Sequence, residues 1–242
     1  MNKLSIIFLL TGLMLASCKK YEFTVDNVSD IQIVNTVMNA GPIKAKSYNN
    51  NVFWSSIPGI NYGAGGFVYS ERTTTTTPII IIRTADTTTN LLNLSYNLPG
   101  KLYTLYLSGK FPNLDTMIKE ETDFPFISQD RIPPVSDSVI NLRFTNLSPN
   151  STSLNIKIQG NSANEAAALG YKSITNFKAY EAKVANSSYK FEIRDASTNN
   201  LLLTHTFNIT NSNRFKNSAL VIRGLKDTTS GPNAFGVSSI TY

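Results

Sequence analysis

At 242 residues, with 41% hydrophobic and 16% charged residues, the chain is long enough to bury one large core or two small ones and too apolar to be disordered throughout. Its formal charge of +6 comes from scattered lysines and arginines, with no basic run that could track a phosphate backbone, so nucleic acid is not an expected partner. The single cysteine, Cys18, excludes disulfides, thiolate metal sites and a cysteine nucleophile from the residues after it.

In chain order, Lys3 precedes an apolar stretch from Leu4 to Leu15, about a dozen residues where a membrane-spanning helix needs roughly 20. Leu15-Ala16-Ser17-Cys18 comes next and resembles the lipobox of bacterial lipoproteins, a large residue, two small ones and the cysteine. That resemblance implies cleavage before Cys18, a diacylglycerol on its sulfur and acylation of the new amine. Several acyl chains hold stably where one holds marginally. Residues 1–17 then form a signal peptide and residues 18–27 a lipidated tether. Lys19 and Lys20 stand where some bacteria place an inner-membrane retention aspartate, so the outer membrane is the expected location, at its surface or periplasmic face.

Beyond the tether the hydrophobic period is two, the mark of half-buried strands. Ile31 to Asn35 opens the series, followed by a lysine-bearing strand from Ile43 to Tyr48. Gly63-Ala64-Gly65-Gly66 lacks the lysine and helix of a phosphate loop and reads as a flexible turn, and the Thr73 to Thr77 run continues a strand from Phe67. Ile79 to Ile82 is all apolar, as in a strand covered on both faces. Leu154, Ile156 and Ile158 alternate with polar residues, as do Tyr189, Phe191 and Ile193. Turn signals such as Asn39-Ala40-Gly41-Pro42 separate these runs. One helix is predicted, where Ser162-Ala163-Asn164-Glu165 forms a capping box, three alanines follow and Gly170 can stop it.

The pattern repeats at offsets near 110 residues. Ile31-Gln32-Ile33-Val34-Asn35 is echoed by Leu142-Arg143-Phe144-Thr145-Asn146, Tyr62 with Phe67 by Tyr171 with Phe177, and Leu105 to Gly109 by Leu220 to Gly224. The expected organisation is therefore two copies of one domain, residues 28–131 and 138–242, joined by a linker at 132–137 that Pro133 and Pro134 stiffen. A first strand ending in Asn35, or in Asn146-Leu147-Ser148-Pro149, then an alternating strand, a Tyr-Gly element and Tyr103 to Gly109, together resemble the domain of unknown function 4397. The second copy departs from it, with Asn217-Ser218-Ala219 in place of the tyrosine-threonine start of the last strand. The resemblance covers nearly all of residues 28–242 and implies a lipoprotein of the Bacteroidota type carrying two tandem immunoglobulin-like, Greek-key β-sandwich domains with no established activity.

Catalytic candidates are few. His205 is the only histidine, counts by twos with Leu201, Leu203, Phe207 and Ile209, and reads as a core or sheet-edge residue. No Gly-x-Ser-x-Gly elbow, His-Glu-x-x-His pair or Asp-x-Asp-x-Asp-Gly loop is present, so no catalytic residue, metal or cofactor is assigned. Glu120, Glu121 and Asp123 form the densest acidic group and read as a solvated connection. Phe53 and Trp54 are the candidate aromatic contact for a sugar or protein, against the favoured reading that both fill a core.

Asp86-Thr87-Thr88, Asp115-Thr116-Met117, Asp137-Ser138-Val139 and Asp227-Thr228-Thr229 each resemble the Asp-Ser/Thr acceptor triplet of general O-glycosylation in Bacteroidota. They make Thr87, Thr116, Ser138 and Thr228 candidate acceptors in loop-like contexts, against the reading of ordinary Asp-Thr turns. The expected protein is a non-enzymatic, lipid-anchored adhesion or ligand-binding module whose partners are the membrane and a glycan or protein. Its alternatives are a periplasmic assembly partner and, more remotely, a carboxylate-dependent glycoside hydrolase.

Overall fold

The computed structural model describes residues 29–47, 52–70, 77–96, 98, 102–122, 138–183 and 185–242. Cys18, the signal and tether segments, Thr73 to Thr76, Asp123 and the 132–137 linker lie outside the described residues. Within them the chain is all-β, without an α-helix.

The first half supplies β1 (Ser29–Asn35), β2 (Ile43–Ser47), β3 (Ala64–Ser70), β4 (Thr77–Arg83), β5 (Asp86–Tyr96), β6 (Leu102–Lys110) and β7 (Asn113–Glu120). They form the sheets β3-β1-β6-β7 and β2-β4-β5. The second half supplies β8 (Val139–Asn146), β9 (Leu154–Ile158), β10 (Asn164–Leu169), β11 (Ser173–Ile174), β12 (Lys178–Glu181), β13 (Ser188–Asp195), β14 (Leu201–Asn208), β15 (Asn217–Arg223) and β16 (Gly236–Thr241). Its sheets are β11-β8-β15-β16, with β12 also on β8, and β10-β9-β13-β14. β1 runs parallel to β6 and β8 parallel to β15.

Alternation along the central strands divides each one between two cores. Ile31 and Ile33 of β1, with Leu105 and Leu107 of β6, meet Ile43, Ile79 and Ile81 of the facing sheet. Leu142, Phe144, Leu220 and Ile222 meet Leu154, Ile156, Phe191 and Ile193 in the same way. The opposite faces are also buried, because the two large sheets pack on each other: Val34, Tyr106, Leu147, Ala219, Val221 and Ile240 form a third cluster. The chain is thus a stack of four sheet layers in which β1, β6, β8 and β15 are covered on both sides. Each fully buried aliphatic side chain of such a core stabilises by about 1.5–3 kcal/mol.

Two asparagines turn the chain out of the first strand of each half. Asn35 Oδ1 accepts from the Val37 amide, and its amide nitrogen donates to the Ile60 carbonyl at 3.0 Å. Asn146 Oδ1 accepts from the Ser148 amide, and its amide nitrogen donates to the Leu169 carbonyl at 3.1 Å.

Two expectations are corrected. Asn164–Leu169 is a strand on β9, with register shifts and a left-handed Ala168 (φ 49°). So short a helix is marginal without a partner, and edge pairing with β9 outweighs the capping box. The glycine run is no flexible turn: it opens β3, where bare backbone lets the second half approach. A Cβ on Gly65 would stand 2.9 Å from Ile240 Cγ2, and one on Gly63 would stand 2.5 Å from Ser238 Oγ and 2.8 Å from Arg223 Nε.

Gly41 and Gly63 share a left-handed φ (72° and 77°), but nothing lies within 4 Å of a Cβ on Gly41. Gly41→Ala is expected to cost about 1–2 kcal/mol. Gly63→Ala costs at least about 1 kcal/mol more, because it must also displace the Arg223–Ser238 pair. Urea denaturation of both variants measures the difference; equal losses would show that the halves do not press together there.

Candidate functional site

The packing of the two large sheets is built around a buried ion pair. Arg143 on β8 and Glu121, just after β7, have side chains only 2% exposed. The guanidinium donates to both carboxylate oxygens, Nη1 to Oε2 at 2.7 Å and Nη2 to Oε1 at 2.6 Å. It also donates to the hydroxyls of Tyr106, at 2.7 Å, and Tyr242, and lies 4.5 Å from the Phe177 ring centroid. Thr104 donates to Glu121 Oε1 at 2.5 Å. Burial works against the arginine's charge, but the Glu121 hydrogen bonds and the two phenols outweigh it and keep Arg143 protonated. Burial also pushes the Tyr106 and Tyr242 phenols up, so both stay neutral.

Further along the seam Ser108 bonds Tyr171 at 2.9 Å, and Tyr171 donates to Asp115 Oδ2 at 2.8 Å. Burial first, and then the Asp115 carboxylate, push the Tyr171 hydroxyl up to about 12. On the other side the Arg223 guanidinium lies 4.7 Å from the Tyr62 ring centroid. These contacts orient the halves: β6 and β8 point the same way, because Tyr106 meets Arg143 while Ser108 meets Tyr171, next to the end of β8. β1 and β8 therefore begin at one end of the stack, and the turns that follow β1, β6, β8 and β15 gather at the other.

That far end holds two clefts. One, of about 510 Å³, lies on the seam, lined by Met38, Lys110, Asn113 and Asp115 from the first half and Pro149 and Leu225 from the second. The other, of about 280 Å³, is lined by Arg83, Asp86, Thr89, Asn90 and Leu91. Both share Phe111 and Pro112 at the β6–β7 turn. The Arg83 guanidinium stacks 4.4 Å from the Phe111 centroid and lies 3.6 Å from Asp86. The Thr88 hydroxyl, aided by Thr89 and the backbone amides of both, holds the Asp86 carboxyl down to about 2.

The sequence candidates are dispersed. Thr87 is exposed in β5, and Thr228 is half-buried after β15. Thr116 is half-buried within β7, paired with Leu107, so it sits in a strand and not a loop. Ser138 is 1% exposed and donates to the Ala182 carbonyl at 2.6 Å, which removes it as an acceptor in the folded chain. Phe53 is 80% exposed and Trp54 half-buried in a 3-10 turn, with Lys46 4.6 Å from the indole, so neither fills a core. Glu121 is the opposite correction: it is the buried partner of Arg143 and not solvated. Sequence reasoning did not single out Arg143. Its only sequence signal was a charge beside apolar residues on a strand echoed by Ile31 to Asn35.

His205 lies on β14 against Phe144, Phe191, Ile193 and Leu220, and its buried Nε2 has no hydrogen-bond partner. No group of three or more histidine, cysteine or acidic side chains suited to a metal occurs among the described residues. No protein-family model matches the chain, and neither does any curated protein.

Arg143→Met leaves Glu121 buried without its partner and is expected to cost about 3–5 kcal/mol, whereas adding Glu121→Leu recovers much of that loss. Urea denaturation of the singles and the double checks it; strictly additive losses would contradict the coupling. Burial holds the imidazole pKa of His205 below the ordinary 6.5, so the unfolded chain binds the proton more tightly. The stability this contributes is present above about pH 6.5 and is lost as pH falls below it. Denaturation midpoints of the parent chain should therefore fall as pH drops from about 7.5 to about 5, and His205→Leu should flatten this window.

Proposed function

We propose that this chain is a lipid-anchored, non-enzymatic outer-membrane protein that displays a binding surface at the end of the stack away from its anchor. One observation carries the reading: both halves begin at the same end, and the turns and clefts gather at the other. A chain tethered through Cys18 enters at Ser29, the start of β1, so its clefts face outward.

The proposal includes two tandem immunoglobulin-like sandwiches, residues 28–131 and 138–242, related as the domain of unknown function 4397 repeats would be. Reciprocal contacts support it. Ser108 meets Tyr171 across the seam, and the residues that echo them, Arg223 and Tyr62, meet on the other side. Ser29 and Ser138, 109 residues apart, both donate from a buried hydroxyl to a carbonyl, that of Leu98 and that of Ala182. This is the pattern of a two-fold pair, in which each partner offers the same surface to the other.

Hydrolysis finds little support. Glu121 is sealed behind Arg143, and Asp86 stays ionised where a glycosidase acid must hold a proton. A second reading, assembly partner, draws on β5. It is an eleven-residue edge strand with no charge after Asp86, and long uncharged edges invite strand addition.

Protease shaving of intact cells, with lysed cells as control, tests the leading reading. Cleavage in intact cells is the expected result. Protection until lysis would instead place the clefts in the periplasm and favour the assembly role.

A further inference from the structure

We propose that the two far-end clefts act together as one trough for a neutral oligosaccharide, which crosses the Phe111-Pro112 turn and is bound without being cleaved. This rests on the reading that the far end is the binding end, and it names the ligand class. The clefts share Phe111 and Pro112, so a ligand longer than either can pass from Leu225 and Pro149 on the seam to Thr89 and Asn90 on β5. The seam cleft alone has the volume of an ordinary ligand pocket.

Its chemistry is balanced in charge. Lys110 and Arg83 stand against Asp115 and Asp86. Both acids already have cationic company, Asp86 with Arg83 at 3.6 Å and Asp115 with Lys172 at 3.5 Å. The lining side chains themselves carry no net charge that would select an anionic or cationic ligand. The neutral polar groups are Asn113, Asn90 and Thr89, all exposed. Each can donate and accept at once, as neighbouring sugar hydroxyls require. Pro112, Pro149 and Leu225 supply apolar surface for the carbon faces of sugar rings. Asp86 lies in the trough as a carboxylate whose Oδ1 already accepts from the Thr88 amide and hydroxyl and the Thr89 amide, so it cannot serve as the acid of hydrolysis.

The test uses the full chain purified in detergent. It is applied to an array of neutral gluco-, galacto-, manno- and N-acetylhexosamine oligosaccharides beside uronate and sulfated ones, followed by calorimetric titration with the best neutral probe. The expected result is binding of a neutral oligosaccharide, at least about tenfold tighter for a long probe than for its disaccharide. Its affinity changes little with salt. Asn113→Ala in one cleft and Asn90→Ala in the other should each weaken it about tenfold, while Asn93→Ala, further along β5, leaves it unchanged. Binding only of acidic glycans, binding of none, or equal binding by all three variants overturns the proposal. Shaving that exposes the far end without any neutral glycan binding removes the ligand class and leaves outward display standing, so the two failures are distinguishable.

Discussion

The cleft on the seam depends on one buried contact, the forked ion pair of Arg143 and Glu121 between the two large sheets. Removing two charges from water costs several kcal/mol for each ion, and only geometry that satisfies both groups repays it. Here the carboxylate accepts from the guanidinium and from Thr104, and the guanidinium also meets two phenols and an aromatic face, although its buried Nε has no hydrogen-bond partner. Apolar burial around Val34, Val221 and Ile240 favours face-to-face contact but is indifferent to register. The ion pair is not indifferent, since a shift along the strand would leave a charge stranded. It therefore fixes how the sheets are aligned, and with that which turns meet at the seam cleft.

The same packing explains why four strands carry so few exposed residues. A sheet in a two-layer sandwich has one wet face, whereas β1, β6, β8 and β15 have none. Polar residues on their seam faces must find partners inside the protein. Ser108 does so through Tyr171, and Gln32 donates to the Thr241 carbonyl at 3.3 Å. Gly63 and Gly65 have the complementary role of letting the backbone at the start of β3 come close to Ser238 and Ile240 of β16.

Much of the fold was legible in the sequence. Period-two alternation marked Leu154 to Ile158 and Tyr189 to Arg194, and both are strands. The echo of Ile31 to Asn35 in Leu142 to Asn146 marked two strands, and the structure places each beside a parallel strand. What escaped was whatever depends on the second buried face. Alternation distinguishes a polar face from an apolar one, but Arg143, Thr104 and Glu121 look alike whether the polar face meets water or another sheet. Local signals failed at Asn164–Leu169 for a related reason: a capping box is worth about 1 kcal/mol, less than pairing along an open edge provides. The clefts could not be read at all, because Asn90 meets Phe111 and Pro112 only once the first half folds, and Leu225 joins Asn113 only once the halves are aligned.

Differential scanning calorimetry of the full chain tests the central claim, that the two halves are one unit locked through Arg143 and Glu121. If they are, the chain melts in a single transition whose calorimetric and van't Hoff enthalpies agree. Two separate transitions, one for each half, would contradict it and return the molecule to independent beads on a string.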